Sequence, residues 1–130
     1  MLKEILSIAG KPGLQKLVSN SANAIIVESL VDGKRFPAHA NSKIISLEDI
    51  SIYTETEDMP LKDVFKRIYD KEEGKQAISH KDSQENIVKY FTEVLPEYDK
   101  ERVYVSNMKK ILQWYNLLIS KNELSFEEEK

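Results

Sequence analysis

The spacing of apolar residues changes character near residue 56. Before this point, β-branched residues such as Ile25 and Ile26 occur in short runs between turn-forming residues, a pattern typical of strands. After it, apolar residues recur every three or four positions, as they do on the buried face of a helix. Strands followed by helices favour an α+β fold. We therefore predict a β-rich subdomain over residues 1–56 and a helical subdomain over residues 57–130.

The β-rich part contains two further signals. Asp32-Gly33 indicates a hairpin, because both turn positions of such a pair favour a positive φ. Pro37 lies in the returning strand, where its missing N–H indicates a sheet edge or a bulge. Short strands this closely spaced predict a small SH3-like β-barrel or a curved antiparallel sheet. The expected segments are strands over 14–18, 24–30, 34–39 and 50–53, and either a strand or one helical turn over 44–49.

Helices are expected at both ends of this pattern. Leu2, Ile5 and Leu6 share one helical face, so we predict a short N-terminal helix over residues 2–8. In the second part, a helix is expected to start near Asp82 or Ser83, and Asp82 followed by Glu85 resembles a capping box. We expect Ser106 to cap the last helix. The three helices of the second part are predicted over residues 59–70, 83–95 and 107–119.

Five stretches of the chain resemble, in the same order, a known family. They read Lys11-Pro12-Gly13-Leu14, Glu28-Ser29-Leu30 with Asp32-Gly33-Lys34-Arg35, Leu47-Glu48-Asp49-Ile50-Ser51-Ile52-Tyr53-Thr54, Pro60-Leu61-Lys62-Asp63-Val64-Phe65 and Trp114-Tyr115-Asn116-Leu117-Leu118. The family is one of small Bacteroidetes proteins that is catalogued as a domain of unknown function. The resemblance implies a bacterial cytoplasmic protein, with no assigned activity and no site residues to transfer. A looser similarity of residues 13–54 to SH3-like barrels rests on the strand pattern.

Composition argues against several classes of protein. The chain has 130 residues, 19 basic and 22 acidic side chains and a net charge of −3, whereas dedicated nucleic-acid binders usually carry a basic excess. It has no cysteine, which removes disulfides, thiolate nucleophiles and cysteine zinc sites and fits a reducing compartment. No apolar run approaches the roughly 20 residues that cross a bilayer. We therefore expect a cytoplasmic protein without membrane contact.

The residues that could carry catalysis or bind a metal are scattered. His39 and His80 lie far apart in the sequence, and neither has a second ligand at metal-site spacing. Ser79 precedes His80, but sequence neighbours rarely have the geometry of a catalytic pair. The carboxylate pairs Glu48-Asp49 and Glu57-Asp58 are better explained by a turn and by a helix start. We predict no catalytic residue, no metal site and no cofactor.

Two surface features are candidate binding sites. Lys34, Arg35, Phe36 and His39 put two cations, an aromatic ring and an imidazole on one hairpin arm, a composition that can hold a phosphate chain and stack bases. Strand alternation would place Lys34 and Phe36 on one face and Arg35 on the other, so an edge strand protected by charge explains the same residues. Trp114 lies at the edge of the last helix's apolar stripe, where it either caps the core or contacts a partner.

The sequence leads to one main hypothesis and two alternatives. The main hypothesis is a non-enzymatic protein-binding or scaffold module with a protein partner, a second copy of the chain being one option. The first alternative is a nucleic-acid-binding small barrel that uses Lys34, Arg35, Phe36 and His39. The second is an enzyme whose site is assembled from distant carboxylates and His80.

Overall fold

The protein is an α+β fold in which strands precede three helices. The computed structural model describes residues 5–8, 13–20, 24–39 and 43–121. Its elements are β1 Ile5–Ile8, β2 Gln15–Asn20, β3 Ala24–Ser29, β4 Arg35–His39, β5 Ile44–Ser46, a short 3-10 helix Leu47–Asp49, β6 Ser51–Ile52, β7 Met59–Pro60, α1 Leu61–Glu72, α2 Gln84–Val94 and α3 Val105–Ser120.

Strands β1 to β5 form one antiparallel sheet in the order β4-β3-β2-β1-β5. Among the described residues, β4 and β5 each pair with one neighbour, so the sheet has two edges, whereas a barrel requires its end strands to pair with each other. The predicted antiparallel sheet followed by three helices is confirmed. The alternative of a closed SH3-like barrel is not. Strands β6 and β7 form a separate two-stranded ribbon.

The predicted N-terminal helix over residues 2–8 is wrong. Residues 5–8 are strand β1, which pairs with β2 on one side and with β5 on the other. Ile5 is buried among residues that pack on the helices, whereas Leu6 and Ile8 belong to a second cluster on the opposite face of the sheet. A strand that is buried on both faces has no strict alternation, so a run this short reads equally well as a helical face.

The hairpin between β3 and β4 lies where Asp32-Gly33 predicted it, but with a different turn. Gly33 has a φ of +76°. In the described part of the chain, Glu73 is the only non-glycine residue with a positive φ, so Asp32 is not in the left-handed region. The carbonyl of Ser29 accepts from the Gly33 N–H at 2.8 Å. The Asp32 carboxylate accepts from the Lys34 N–H at 3.0 Å. Pro37 lies in β4 at the sheet edge, where its missing N–H costs no ladder bond.

The three helices lie close to their predicted positions, but the caps differ. Of the two predicted starts of α2, Ser83 is the cap and Asp82 is not, since the Ser83 hydroxyl accepts from the Asn86 N–H at 3.2 Å. Helix α3 begins before Ser106, so that predicted cap is wrong. The Asn107 side chain accepts from the Tyr104 N–H at 2.8 Å and so satisfies a donor that the start of the helix leaves without a backbone partner.

One apolar core joins the strand-rich part to the helices. The fully buried side chains of the helices include Phe65, Phe91 and Tyr115, and they pack with Leu14 and Leu47 from the first part of the chain. A second, smaller cluster lies on the other face of the sheet. Its buried members are Leu6, Ile8, Val27 and Ala38, with Leu17, Ile25, Phe36 and Ile44 partly buried against them.

The connection between α1 and α2 is held against α3 by hydrogen bonds. The Asn116 side chain accepts from the Ala77 N–H at 2.7 Å and donates to the Ile78 carbonyl at 3.1 Å. The Tyr115 hydroxyl donates to the Lys75 carbonyl at 2.8 Å. One amide side chain therefore satisfies two backbone groups of a segment that has no regular structure of its own.

We expect Gly13→Ala to destabilise the protein more than Gly33→Ala. Both glycines have positive φ (65° and 76°), which costs an alanine roughly 1–2 kcal/mol. A Cβ on Gly13 would also lie 2.5 Å from Val31 Cγ2, while a Cβ on Gly33 meets nothing within 4 Å. Val31 is 50% exposed and can partly relieve this overlap, so we expect it to add up to about 1 kcal/mol in urea unfolding. An equal loss in both variants would contradict the packing that we describe.

Replacing Asn116 by alanine should loosen the segment after α1. The Ala77 N–H and the Ile78 carbonyl would lose their partners, at a cost of about 1–3 kcal/mol. Amide hydrogen exchange at Ala77 should accelerate in the variant. Gln113→Ala, an exposed change on the same helix, is the control and should leave that exchange rate as it is in the wild type.

Candidate functional site

A groove runs between residues 50–53 and the first three turns of α3. Its volume is about 170 Å³. We call it the aromatic groove, because Tyr53 and Trp114 contribute the two rings that line it. The lining residues are Ile50, Ser51, Ile52, Tyr53, Arg102, Val103, Asn107, Lys110, Ile111 and Trp114.

Backbone pairing holds the strand side of the groove in place. The Ile50 carbonyl accepts from the Leu61 N–H at 2.8 Å, at the start of α1. The Tyr53 carbonyl accepts from the Asp99 N–H at 3.0 Å, and the Glu55 N–H donates to the Glu97 carbonyl at 2.9 Å. These bonds tie residues 50–55 both to α1 and to the segment that leads into α3, so the two walls keep a fixed separation.

An ion pair between α1 and the segment that leads into α3 stabilises this arrangement. The guanidinium of Arg67 on α1 donates from both terminal nitrogens to the Glu97 carboxylate, at 3.1 and 3.2 Å, and also to the Val94 carbonyl at 3.3 Å. Hydrogen bonding by Arg67 holds the pKa of Glu97 below its usual range. Two parallel bonds fix the orientation of both groups. The pair therefore anchors the segment whose backbone positions Tyr53.

The groove has an apolar floor and a rim of rings and cations. Ile52, Val103 and Ile111 are buried and form the floor. Tyr53 remains 44% exposed and Trp114 is half-buried, so both rings keep surface that a bound group could cover. A floor and walls of this kind favour contact with an apolar side chain.

Each ring lies next to a cation. The Arg102 guanidinium carbon lies 4.2 Å from the centroid of the Tyr53 ring, and Lys110 Nζ lies 5.9 Å from the centroid of the Trp114 ring. Arg102 also donates from Nε to the Asp99 carboxylate at 2.8 Å, which lowers the pKa of Asp99 and raises the pKa of Arg102. Contact with the rings places both cations at the mouth of the groove.

The residues of the predicted hairpin site do not line the aromatic groove. Phe36 packs against the small cluster on one face of the sheet, while Arg35 pairs with Glu28 at 3.1 Å. Lys34 is exposed in the loop before β4. The main chain of His39 pairs with that of Ala24. The His39 side chain is outside the part of the chain that the structure describes. Phe36 and Arg35 thus lie on opposite faces of the sheet, as alternation predicted.

Trp114 is the predicted site residue that lies in the groove. Tyr53, Arg102 and Lys110 were not predicted as site residues. One signal was available, since Lys110 and Trp114 are four positions apart and therefore neighbours on a helix face. No local pattern indicates Tyr53 or Arg102, because they reach the groove through the pairing of two distant segments.

The other titratable groups in the described part of the chain offer no candidate metal site. In residues 5–8, 13–20, 24–39 and 43–121, no three His, Asp or Glu side chains are grouped so that they could hold a metal ion. The Tyr90 hydroxyl donates to the Glu72 carboxylate, and burial raises the pKa of Tyr90 well above its usual range, so this bond joins α1 to α2 with the phenol protonated. No helix among the described residues is long and apolar enough to span a bilayer.

Comparisons with known proteins give three similarities. A model of a domain of unknown function, DUF6852, matches residues 50–118, and a model of another, DUF5606, matches residues 2–47. A solution NMR structure of a protein from Bacteroides vulgatus, a structural genomics target, is 47% identical with a TM-score of 0.78, over 97% of this chain and 91% of that chain. A search of curated proteins finds no match. The predicted resemblance to an uncharacterised Bacteroidetes family is confirmed, while the SH3-like resemblance is not.

The Arg67–Glu97 pair should make stability depend on pH. Because the pKa of Glu97 is lowered in the folded protein, its stabilisation is present above the unfolded value of about 4.3 and is lost as the pH falls through the folded value. Both side chains are 40% exposed, so we expect Glu97→Gln to cost about 1 kcal/mol or less at neutral pH. In urea unfolding, the difference from wild type should shrink towards zero as the pH falls below about 4.

Glu101→Gln removes an exposed carboxylate from the same connecting segment and serves as the control. Its difference from wild type should vary much less over the same pH range. A Glu97→Gln effect that is constant with pH would show that the ion pair does not contribute.

Proposed function

Since this chain belongs to the DUF6852 family of domains of unknown function, and no activity is assigned to that family, we propose from its geometry that it is a non-enzymatic protein-binding module. In this proposal the partner contacts the aromatic groove. The observation that carries the proposal is the pair of partly exposed rings, Tyr53 and Trp114, each beside a cation and above an apolar floor. Tryptophan, tyrosine and arginine are the residues most often found at binding hot spots.

The chemistry of the lining supports binding over catalysis. The residues that line the groove include no histidine and no carboxylate, the groups that most often transfer protons in enzymes. Its two charged groups are a lysine and an arginine. The lining offers apolar contact, hydrogen-bond donors and fixed positive charge, and these select a ligand without transforming it.

The size of the groove supports a protein partner over a metabolite. Small-molecule pockets usually enclose roughly 300–1,000 Å³ and bury most of their ligand. At about 170 Å³, this groove has room for one or two side chains of a larger molecule. A partner could be a different protein or a second copy of this chain. As part of the same proposal we place the module in the cytoplasm, which the lack of cysteine fits.

The proposal predicts a partner that is lost when Trp114 is replaced. The tagged protein and its Trp114→Ser variant would be used to capture proteins from a lysate of the bacterium that encodes the chain, with quantitative mass spectrometry as the readout. We expect a partner that falls at least tenfold with the variant, since truncating a central aromatic anchor typically costs about 2 kcal/mol or more.

Ile45→Ser is the matched control. Ile45 is 53% exposed on β5, so this change removes exposed apolar surface outside the groove. Circular dichroism spectra of both variants should match the wild type. A partner that is lost equally with both variants reports adhesion to apolar surface, and a partner that neither variant affects binds elsewhere. Either result contradicts the proposed use of the groove.

A further inference from the structure

We infer that the aromatic groove recognises an extended acidic segment, one in which an apolar side chain is followed or preceded by carboxylates. This inference rests on the proposed function and adds the chemistry of the partner. The apolar side chain would enter between the Tyr53 and Trp114 rings, over the floor formed by Ile52, Val103 and Ile111. The carboxylates would then lie against the cations at the rim.

Local charge is the first argument. The chain as a whole is acidic, with a net charge of −3, yet the charged residues that line the groove are Arg102 and Lys110 and no carboxylate lines it. A positive site on an acidic protein favours a negatively charged ligand, because approach elsewhere on the surface is repelled. A basic partner would meet repulsion from both cations at the point of contact.

The two cations have different neighbours. Asp99 accepts a hydrogen bond from Arg102 at 2.8 Å, and Asp58 also acts on the charge of Arg102, so part of that charge is balanced within the protein. The bond to Asp99 uses the Nε–H, one of five N–H donors on the guanidinium. Lys110 contacts the Trp114 ring, but it has no ion-pair partner among the residues that the structure describes. Lys110 is therefore the group that a partner's carboxylate would neutralise most directly.

The position of Lys110 links the charged contact to the apolar one. Its Nζ lies 5.9 Å from the Trp114 centroid, so a carboxylate that pairs with Lys110 must lie within a residue or two of a side chain that contacts the ring. A volume of about 170 Å³ limits the buried part of the ligand to one or two side chains. Both constraints describe a short linear segment in which an apolar anchor and an acidic residue are close in sequence.

A peptide selection tests this chemistry. Random short peptides displayed on phage would be selected on the immobilised wild-type protein and counter-selected on Trp114→Ser. We expect the enriched peptides to carry aspartate or glutamate within two residues of an aromatic or aliphatic residue. Enrichment of basic or uncharged proline-rich peptides would overturn the acidic chemistry while leaving the groove as a binding site. If no peptide depends on Trp114, both the inference and the proposed function fail.

A charge reversal provides the quantitative test on the enriched peptide. Lys110→Glu and Lys109→Glu change the net charge equally, and both residues are exposed on α3, but Lys109 does not line the groove. We expect Lys110→Glu to weaken peptide binding about tenfold or more in fluorescence polarisation, and Lys109→Glu to weaken it less than about threefold. Binding to wild type should also weaken as salt rises, because the rim charges are exposed to solvent. Equal effects of the two variants would contradict the role of Lys110.

Discussion

The larger of the two apolar clusters packs the strands against the helices, and the rest of the structure depends on it. Leu14 and Leu47, which come from the strand-rich part, are fully buried together with residues of all three helices. A sheet or a helix pair alone would leave these side chains in water, and burying each one contributes about 1.5–3 kcal/mol. The aromatic groove follows from the same contact, since Ile52 belongs both to the core and to the floor of the groove.

This core crosses the boundary between the two family matches. One match ends at residue 47 and the other begins at residue 50, a break that falls in the short 3-10 helix Leu47–Asp49. Leu47 is nevertheless fully buried among residues of both matches. The 47% identical structure spans both regions as well, because it covers 97% of this chain. Two segments that family models separate are therefore packed here as one unit, and the groove lies within the second segment, where its strand side meets α3.

The binding role that we propose for the groove depends on how its apolar and charged groups are arranged. An apolar floor alone would bind any exposed apolar chain, and a charged rim alone would be screened by salt. Tyr53 with Arg102, and Trp114 with Lys110, combine the two, because each ring holds a cation at the mouth of an apolar groove. The Arg67–Glu97 pair does not line the groove. Together with the backbone bonds of residues 53 and 55, it holds the strand side of the groove against the segment that leads into α3.

The α+β class, the three helices, the β3–β4 hairpin and the edge position of Pro37 could all be predicted, because each depends on local periodicity or on the backbone chemistry of one or two residues. Residues 5–8 could not, because burial on both faces removes the alternation that identifies a strand. Of the residues that line the groove, Trp114 was predicted as a site residue. Tyr53 and Arg102 could not be, since they are 49 positions apart in the sequence. The backbone bond between Tyr53 and Asp99 brings them together, and a pairing between distant segments leaves no periodic trace in either one.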